Sequence, residues 1–516
     1  MTAPGAPPPP GPPAAASSAG SSASGLLPAG PVRARRARYA GLAGAVLLTV
    51  AGYLGGALPD APLGSAPPSI WRAPAGPATL TCWLIGTALL VGAWWSLRAG
   101  APSGRWAYVT AGLWLLPLLA APPLGSRDVY SYACQGWTYA HGVDPYAVPV
   151  AAAGCPWLDA VAPIWRDTPA PYGPVFVLLA ALAVSVGGGL TGTIVALRVI
   201  AVAGLLLAAF CLPGLARAAG VPTRRAAWLA LAAPVIGVHL VGGAHNDAVM
   251  LGLLLCGLLL VIRRPGRPAA LLVAGALLGL AVTVKATAVV VAPFAALAAV
   301  HGRHTVRALL RDGGWLAGGL LAALLVTSAL SRLGFGWVGG LTRSGDSEQW
   351  TSPPTAVGLV VDYAGALVGR DPQAVPVVRA VALLLLAVVL VVLWCRAWRD
   401  LRASGDPALA RQWVTLHGAG LALAATVVLS PVFHPWYATW PLVLLALTAA
   451  RTTWFLLPAG AATFLALPDG TNLARFTKAP GAVAMTALLL FVLLLWIRHH
   501  GHQRSPDAQD PARTWL

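Results

Sequence analysis

Charge is what this sequence has least of. Of 516 residues only 10% are Asp, Glu, Lys or Arg; the acids are 15 Asp and the single Glu348, and the lysines are Lys285 and Lys478 alone. A water-facing domain carries about 25% charged residues, so a soluble globular surface is excluded. Cysteine is also sparse. Four of the six lie inside apolar runs, where packing is their expected role. Cys134 and Cys155 share one polar loop, and a disulfide is open to them if that loop is exported. No Walker loop opens a helix, which leaves nucleotide-driven transport unsupported. Gly-x-Ser-x-Gly is missing, which argues against a serine hydrolase. His141 and Asp144 are too isolated to form a metal cage, so no metal ligands are assigned. Strand-like alternation over about ten residues is absent as well, and with it the membrane β-barrel.

What is there is apolar length. Hydrophobic residues make up 58% of the chain and mean hydropathy is +0.74. The runs are continuous and rich in Ala, Leu and Gly, which reads as helices of about 20 residues, each enough to span a bilayer. The expected fold class is therefore all-α: a polytopic transmembrane bundle of roughly 13–15 spans. Residues 1–31 are Pro, Ala, Gly and Ser without periodicity and read as a disordered tail; 32–500 form the bundle and 501–516 a second tail. The run at 39–58 is too long for a signal peptide and is an anchor.

The net charge of +18 comes from arginine. A basic balance can indicate nucleic acid, but no basic face interleaved with aromatics stands outside the apolar runs, so no nucleic-acid partner is expected. Arginines instead cluster at 33–38, 98–105, 217–225, 263–267, 303–311, 396–411 and 498–513. By the positive-inside rule these and both termini are cytoplasmic. The linkers near 59–76, 125–171, 243–246, 331–375, 431–435 and 469–479 then become external. Spans fall near 39–58, 77–97, 106–124, 190–212, 226–242, 247–262, 269–284, 287–300, 313–330, 376–395, 413–430, 436–450, 453–468 and 480–497. Several are short, and tilted or broken helices are expected near 269–300. A crossing at 172–187 would invert everything after it, so that stretch is read as re-entrant or lying along the membrane.

Because acids are rare, their positions inform. Asp128 follows the third span within Gly125-Ser126-Arg127-Asp128-Val129-Tyr130-Ser131-Tyr132. It is a candidate general base at the bilayer surface; an interfacial salt bridge with Arg127 is the alternative. His141-Gly142-Val143-Asp144-Pro145-Tyr146 reads as a turn, and Thr168 to Pro174 is held extended by its prolines. His245-Asn246-Asp247 follow a double glycine. One of them would suffice to cap the next helix, and the surplus suggests a grip on sugar hydroxyls or a phosphate. Lys285 sits in an apolar run, where an amine either snorkels or serves a function. The long 331–375 linker adds Arg343 and Asp346 to the external polar residues. His434, beside the belt aromatics Trp436 and Tyr437, and Arg475 in the last external loop are candidates for contacting an anionic head group.

Taken in order, the Arg127–Tyr132 string, His141–Tyr146, Thr168–Pro174, His245-Asn246-Asp247-Ala248 and Lys285-Ala286-Thr287 resemble the signature of a family of membrane glycosyltransferases. The chain resembles, over about residues 40–500, the actinobacterial polyprenol-phosphate-mannose-dependent α-1,6-mannosyltransferases of the GT-C fold. The resemblance implies a long first external loop that carries the catalytic base, here Asp128. It implies a polyprenyl phosphomannose donor, a mannan or lipoglycan acceptor and an inverting displacement on the external face of the cell membrane, with no cofactor. Lys285, with His434 and Arg475, would receive the donor phosphate. His245, Asn246, Asp247, Tyr130 and Tyr172 would bind sugar. Related GT-C families use other donor sugars. A transporter or flippase of a lipid-linked sugar is the competing class, disfavoured because no second copy of the motifs marks an internal repeat. A non-catalytic scaffold would not need an intramembrane Lys and an interfacial Asp.

Overall fold

A computed structural model describes residues 30–61, 69–343, 347–403 and 407–502. The tails expected at 1–31 and 501–516 therefore fall almost wholly outside the described residues, as do Asp346 and the side chain of Arg343. Among the described residues the chain is helical throughout, with one isolated antiparallel bridge between Ala466 and Asn472.

The first helices are α1 (Pro31–Gly55), the short α2 (Ser69–Arg72), α3 (Gly76–Ser96) and α4 (Gly104–Ala120). α1 and α3 cross where both are glycine: a Cβ on Gly44 would lie 2.7 Å from the Gly86 carbonyl oxygen, and one on Gly86 2.8 Å from that of Gly44. Lipid offers apolar side chains nothing to escape from, so close backbone approach at small residues is what holds such a pair. Ser103 caps α4 by accepting the Trp106 N–H at 3.1 Å.

α5 (Asp128–Ala140) and α6 (Pro174–Gly187) follow, and α6 turns at Gly188, with φ +66°, into α7 (Leu190–Ala218). α6 has 14 residues, about 21 Å of rise, less than the ~30 Å of a hydrocarbon core, which places it with the shorter apolar helices. Gly187, Gly189 and Gly192 have the spacing of a dinucleotide-binding loop, but they join two apolar helices rather than a strand to a helix.

α8 (Thr223–Leu231) ends before Pro234, and the chain continues, bent by 61°, as a π-helical turn at Ile236–Gly242. Then come α9 (Asp247–Arg263), α10 (Pro268–Val284), a 3-10 turn at Ala286–Val291, α11 (Ala292–Ala299) and α12 (Val306–Ser331). α13 (Trp337–Arg343), α14 (Pro353–Leu367), α15 (Ala374–Ala403) and α16 (Pro407–Leu429) precede a 3-10 turn at Pro435–Ala438. α17 (Thr439–Leu445), α18 (Thr453–Leu465) and α19 (Lys478–His502) complete the chain described.

Seven of these helices are long and apolar enough to cross a membrane unaided, or eight if the bent pair counts as one span. The remaining expected spans fall on helices of 17 residues or fewer, such as α4, α9 and α10. Seventeen residues rise about 26 Å. The helices stop short where the polypeptide unwinds to present polar residues, at 243–246, at Lys285 and at His434-Pro435.

The loops sort into two ends. Arg225 donates to the Ala449 carbonyl, Gly100 lies against Arg225, and Arg411 donates to Val300 O at 2.8 Å, all within the arginine-rich set. At the other end Ala57 N–H meets Pro123 O at 3.0 Å, Tyr139 donates to Ser331 O at 3.0 Å, and Asn472 donates to Gln349 at 2.9 Å. In each of these contacts, loops assigned to one side by charge meet each other.

Candidate active site

Asp128 is the first residue of α5, where the helix dipole favours a carboxylate. Gly125, at φ +67°, makes the turn out of α4, and Ser126 Oγ accepts the Asp128 N–H at 3.1 Å. Arg127 does not pair with it. Its buried guanidinium donates to three carbonyls, those of Ala61, Ala160 and Asp469, at 3.2–3.3 Å. One oxygen of Asp128 accepts the Trp165 indole N–H at 3.0 Å, and the other lies 3.9 Å from His245 Nδ1. Burial pushes the carboxyl up to about 6, against the opposing pull of Lys285 and of the Trp165 and Ser126 hydrogen bonds.

The second part of the site comes from the bent span. Arg198 on α7 donates to Leu119 O and Ala121 O at the end of α4 and, at 2.9 Å, to Gly242 O. That fixes where the π-helical turn ends. Gly243 and Ala244, the latter in the left-handed region at φ +51°, then fold the chain back so that His245 points inward. His245 is fully buried, stacked on Trp436 with ring centres 4.0 Å apart, and its Nδ1 shares a hydrogen bond with the Tyr132 hydroxyl at 3.2 Å. The Asn246 amide is buried and neither its oxygen nor its nitrogen has a partner among the described residues.

Asp247 and Lys285 form the charged heart. Lys285 Nζ donates to both carboxylate oxygens at 2.8 and 2.9 Å, and the Trp440 indole donates to the same group at 2.5 Å. Lys285 gains this position because α10 ends one residue earlier and the chain turns extended there. Its ammonium lies 5.0 Å from the Tyr437 ring centre and 5.2 Å from that of Trp440, an arrangement with cation–π character. The carboxylate expected to grip sugar hydroxyls is thus occupied as the lysine's counter-ion.

The other expected residues fall at different distances from this centre. His434 stacks on the far face of Trp436 at 4.6 Å and sits 6.4 Å from the Trp165 ring. Desolvation among these rings, with the Lys285 charge, pushes its imidazole down to about 3, which favours the neutral form. Tyr172 packs edge-on against Tyr132 at 5.3 Å. Tyr130 points elsewhere: its hydroxyl donates to Ala57 O at 2.5 Å, beyond the end of α1. Residues two apart on a helix face opposite ways, whereas Asp128 and Tyr132, four apart, share a face. That spacing was the available signal for Tyr132. Arg475 stands exposed on a short 3-10 turn and makes no hydrogen bond or ion pair with the cluster. Trp165, Trp440 and Arg198 carry no motif, and Arg198, a lone cation inside a span, was the one legible by charge. Cys134 and Cys155 are joined as a disulfide that ties α5 to the loop leading to Trp165.

A helical membrane bundle that buries a half-committed carboxylate near a lysine–aspartate pair defines a polytopic membrane protein with a buried polar cluster. The chain belongs to the alpha-(1->6)-mannopyranosyltransferase family. The family model described as alpha-(1->6)-mannopyranosyltransferase, N-terminal domain, matches residues 38–301, and that of the MptB C-terminal domain matches 354–496. It is 32% identical over 451 residues to alpha-(1->6)-mannopyranosyltransferase A of Mycobacterium tuberculosis, covering 84% of each chain. It is 33% identical to a probable alpha-(1->6)-mannopyranosyltransferase of Mycolicibacterium smegmatis, covering 78% of this chain and 76% of the relative. With alpha-(1->6)-mannopyranosyltransferase B of Corynebacterium glutamicum the identity is 29%, over 79% and 73%. No solved structure matches.

Proposed function

We propose that the protein transfers mannose from polyprenyl phosphomannose to the 6-hydroxyl of an α-1,6-mannan-type glycolipid, with inversion, at the external face of the membrane. One observation carries the reading: Asp128 is a buried carboxylate with one oxygen held by Trp165 and the other uncommitted. The uncommitted oxygen takes the proton of the acceptor 6-hydroxyl as that oxygen forms its bond to the anomeric carbon. The bond from that carbon to the phosphate oxygen breaks, and polyprenyl phosphate leaves with the electron pair. An already ionised leaving group needs no general acid. A single displacement turns a β-linked donor into an α-linked product.

Lys285 gives two of its N–H donors to Asp247. The third is free to meet the departing phosphate oxygen, and in a dry pocket such a contact supplies several kcal/mol. Asp247 keeps the ammonium pointing one way. The unpartnered amide of Asn246 and Nε2 of His245 suit sugar hydroxyls. Two features support an external site: the arginines gather at the opposite end, and the Cys134–Cys155 disulfide belongs to an oxidising compartment.

The test is mannose transfer by the full-length protein in membranes from polyprenyl phosphomannose to a short α-1,6-mannoside. Asp128→Asn is expected to lower turnover about 10²–10⁴-fold, the usual weight of a general base. Wild-type turnover in that variant would remove Asp128 from the role. Movement of donor across vesicles without product would make the protein a transporter.

A further inference from the structure

The geometry points to a second site, at the arginine-rich end: a cleft that binds the phosphodiester head group of an anionic membrane lipid. The cleft, of about 320 Å³, opens between the start of α1 and the residues leading into α4, with Arg35, Arg38, Tyr39, Pro102 and Trp106 among its walls. Its volume is at the lower end of the ~300–1,000 Å³ typical of small-ligand sites.

Arg38 is built into place. Its Nε donates to Thr110 Oγ1 at 2.9 Å, its guanidinium carbon lies 4.6 Å from the Trp106 ring centre, and its backbone carbonyl accepts the Trp114 indole at 2.8 Å. The flat guanidinium is thereby fixed while its terminal nitrogens meet no acceptor among the described residues. A planar fork held in this way matches two phosphate oxygens. Arg35, one turn earlier on α1, lines the same cleft and lies against Tyr39.

Among the described residues, no acid is among those lining the cleft. The first two acids of the sequence are Asp60 and Asp128, both beyond the far end of α1. The cations nearby are Arg33, Arg36, Arg98 and Arg105, with Arg225 against Gly100. An anion relieves this repulsion. A lipid is favoured over free phosphate by what continues below the cleft. Tyr39, Val46, Val50 and Tyr53 recur at helical spacing along one face of α1 and are all exposed, giving an apolar track for an acyl chain. Tyr39 and Trp106 sit at the mouth as interfacial aromatics do.

The experiment uses delipidated full-length protein in detergent, titrated with dioleoylphosphatidylglycerol or dioleoylphosphatidylcholine and read by native mass spectrometry. Arg35→Gln and Arg38→Gln are each expected to weaken phosphatidylglycerol retention about fivefold, the weight of one cation near an anionic surface. Arg33→Gln with Arg36→Gln removes twice that charge outside the cleft and is still expected to change retention less than twofold. Arg35→Gln breaks no side-chain hydrogen bond among the described residues, so it reports even if Arg38→Gln fails to fold. Equal loss in the control pair would overturn the cleft in favour of diffuse surface charge. Displacement of the lipid by millimolar inorganic phosphate would overturn the lipid in favour of a free-phosphate site, and equal retention of phosphatidylcholine would overturn both.

Discussion

Two neighbours along the chain, Arg127 and Asp128, turn to different partners, and the proton affinity of the second depends on the first turning aside. A guanidinium beside Asp128 would hold its carboxyl well below the usual range. With Arg127 spent on carbonyls, burial dominates and the carboxyl rises to about 6. A base must be ionised to accept a proton, so mannose transfer should rise as pH passes upward through about 6 and fall below it. Initial rates between pH 4.5 and 8 check this; a plateau reaching down to pH 4.5 would mean an ordinary, solvated carboxylate. The Asp247–Lys285 pair makes a different prediction. Removing one partner of a buried pair typically costs about 3–5 kcal/mol, because the other charge is stranded, while replacing both is close to neutral. Asp247→Asn and Lys285→Met should each lower the thermal midpoint in detergent, and the double variant should recover most of the loss. Additive losses would mean that the two residues do not act as a pair. Asp128, His245 and Lys285 were legible because charge and imidazole are conspicuous in an apolar chain. Trp165, Trp436 and Trp440 were not, because tryptophan in a membrane protein reads first as an interfacial belt residue.

At the scale of elements, the buried helix α5 carries both halves of a constraint: Asp128 at its first residue and Cys134 in its second turn. The disulfide to Cys155 closes a segment with a sequence separation of 21 and so restrains the loop that delivers Trp165. By chain entropy alone a closure of this length stabilises by about 3 kcal/mol. The Cys134→Ser, Cys155→Ser double variant should melt earlier and transfer mannose more slowly, as read by thermal denaturation and product formation. An unchanged rate would show that Trp165 is held by packing instead. Long helices such as α7, α12 and α15 follow directly from continuous apolar runs. The shorter ones do not, since hydropathy marks where apolar residues lie and not where a helix stops to expose a backbone turn. The π-helical turn at Ile236–Gly242 had no signal beyond Pro234 and the glycines after it.

For the whole molecule, charge assigns the loops to two ends, and labelling tests that assignment. A membrane-impermeant label directed to a cysteine placed at exposed Gly142 should react on intact cells, and one at exposed Arg303 only after permeabilisation. The reverse pattern would turn the molecule over and put the pocket in the cytoplasm. The number of crossings was less legible, because a span assembled from a 17-residue helix and an unwound turn has no hydropathy signature distinct from a buried short helix.

Arg127 also sets an order of events. Its three acceptors belong to segments far apart in the chain, Ala61 just past α1, Ala160 in the loop after α5, and Asp469 after α18. A ribosome delivers the first two long before the third. The anchoring of Arg127, and with it the start of α5 at Asp128, is therefore incomplete until nearly the entire polypeptide has been made, and a chain cut short before residue 469 lacks one of the three acceptors.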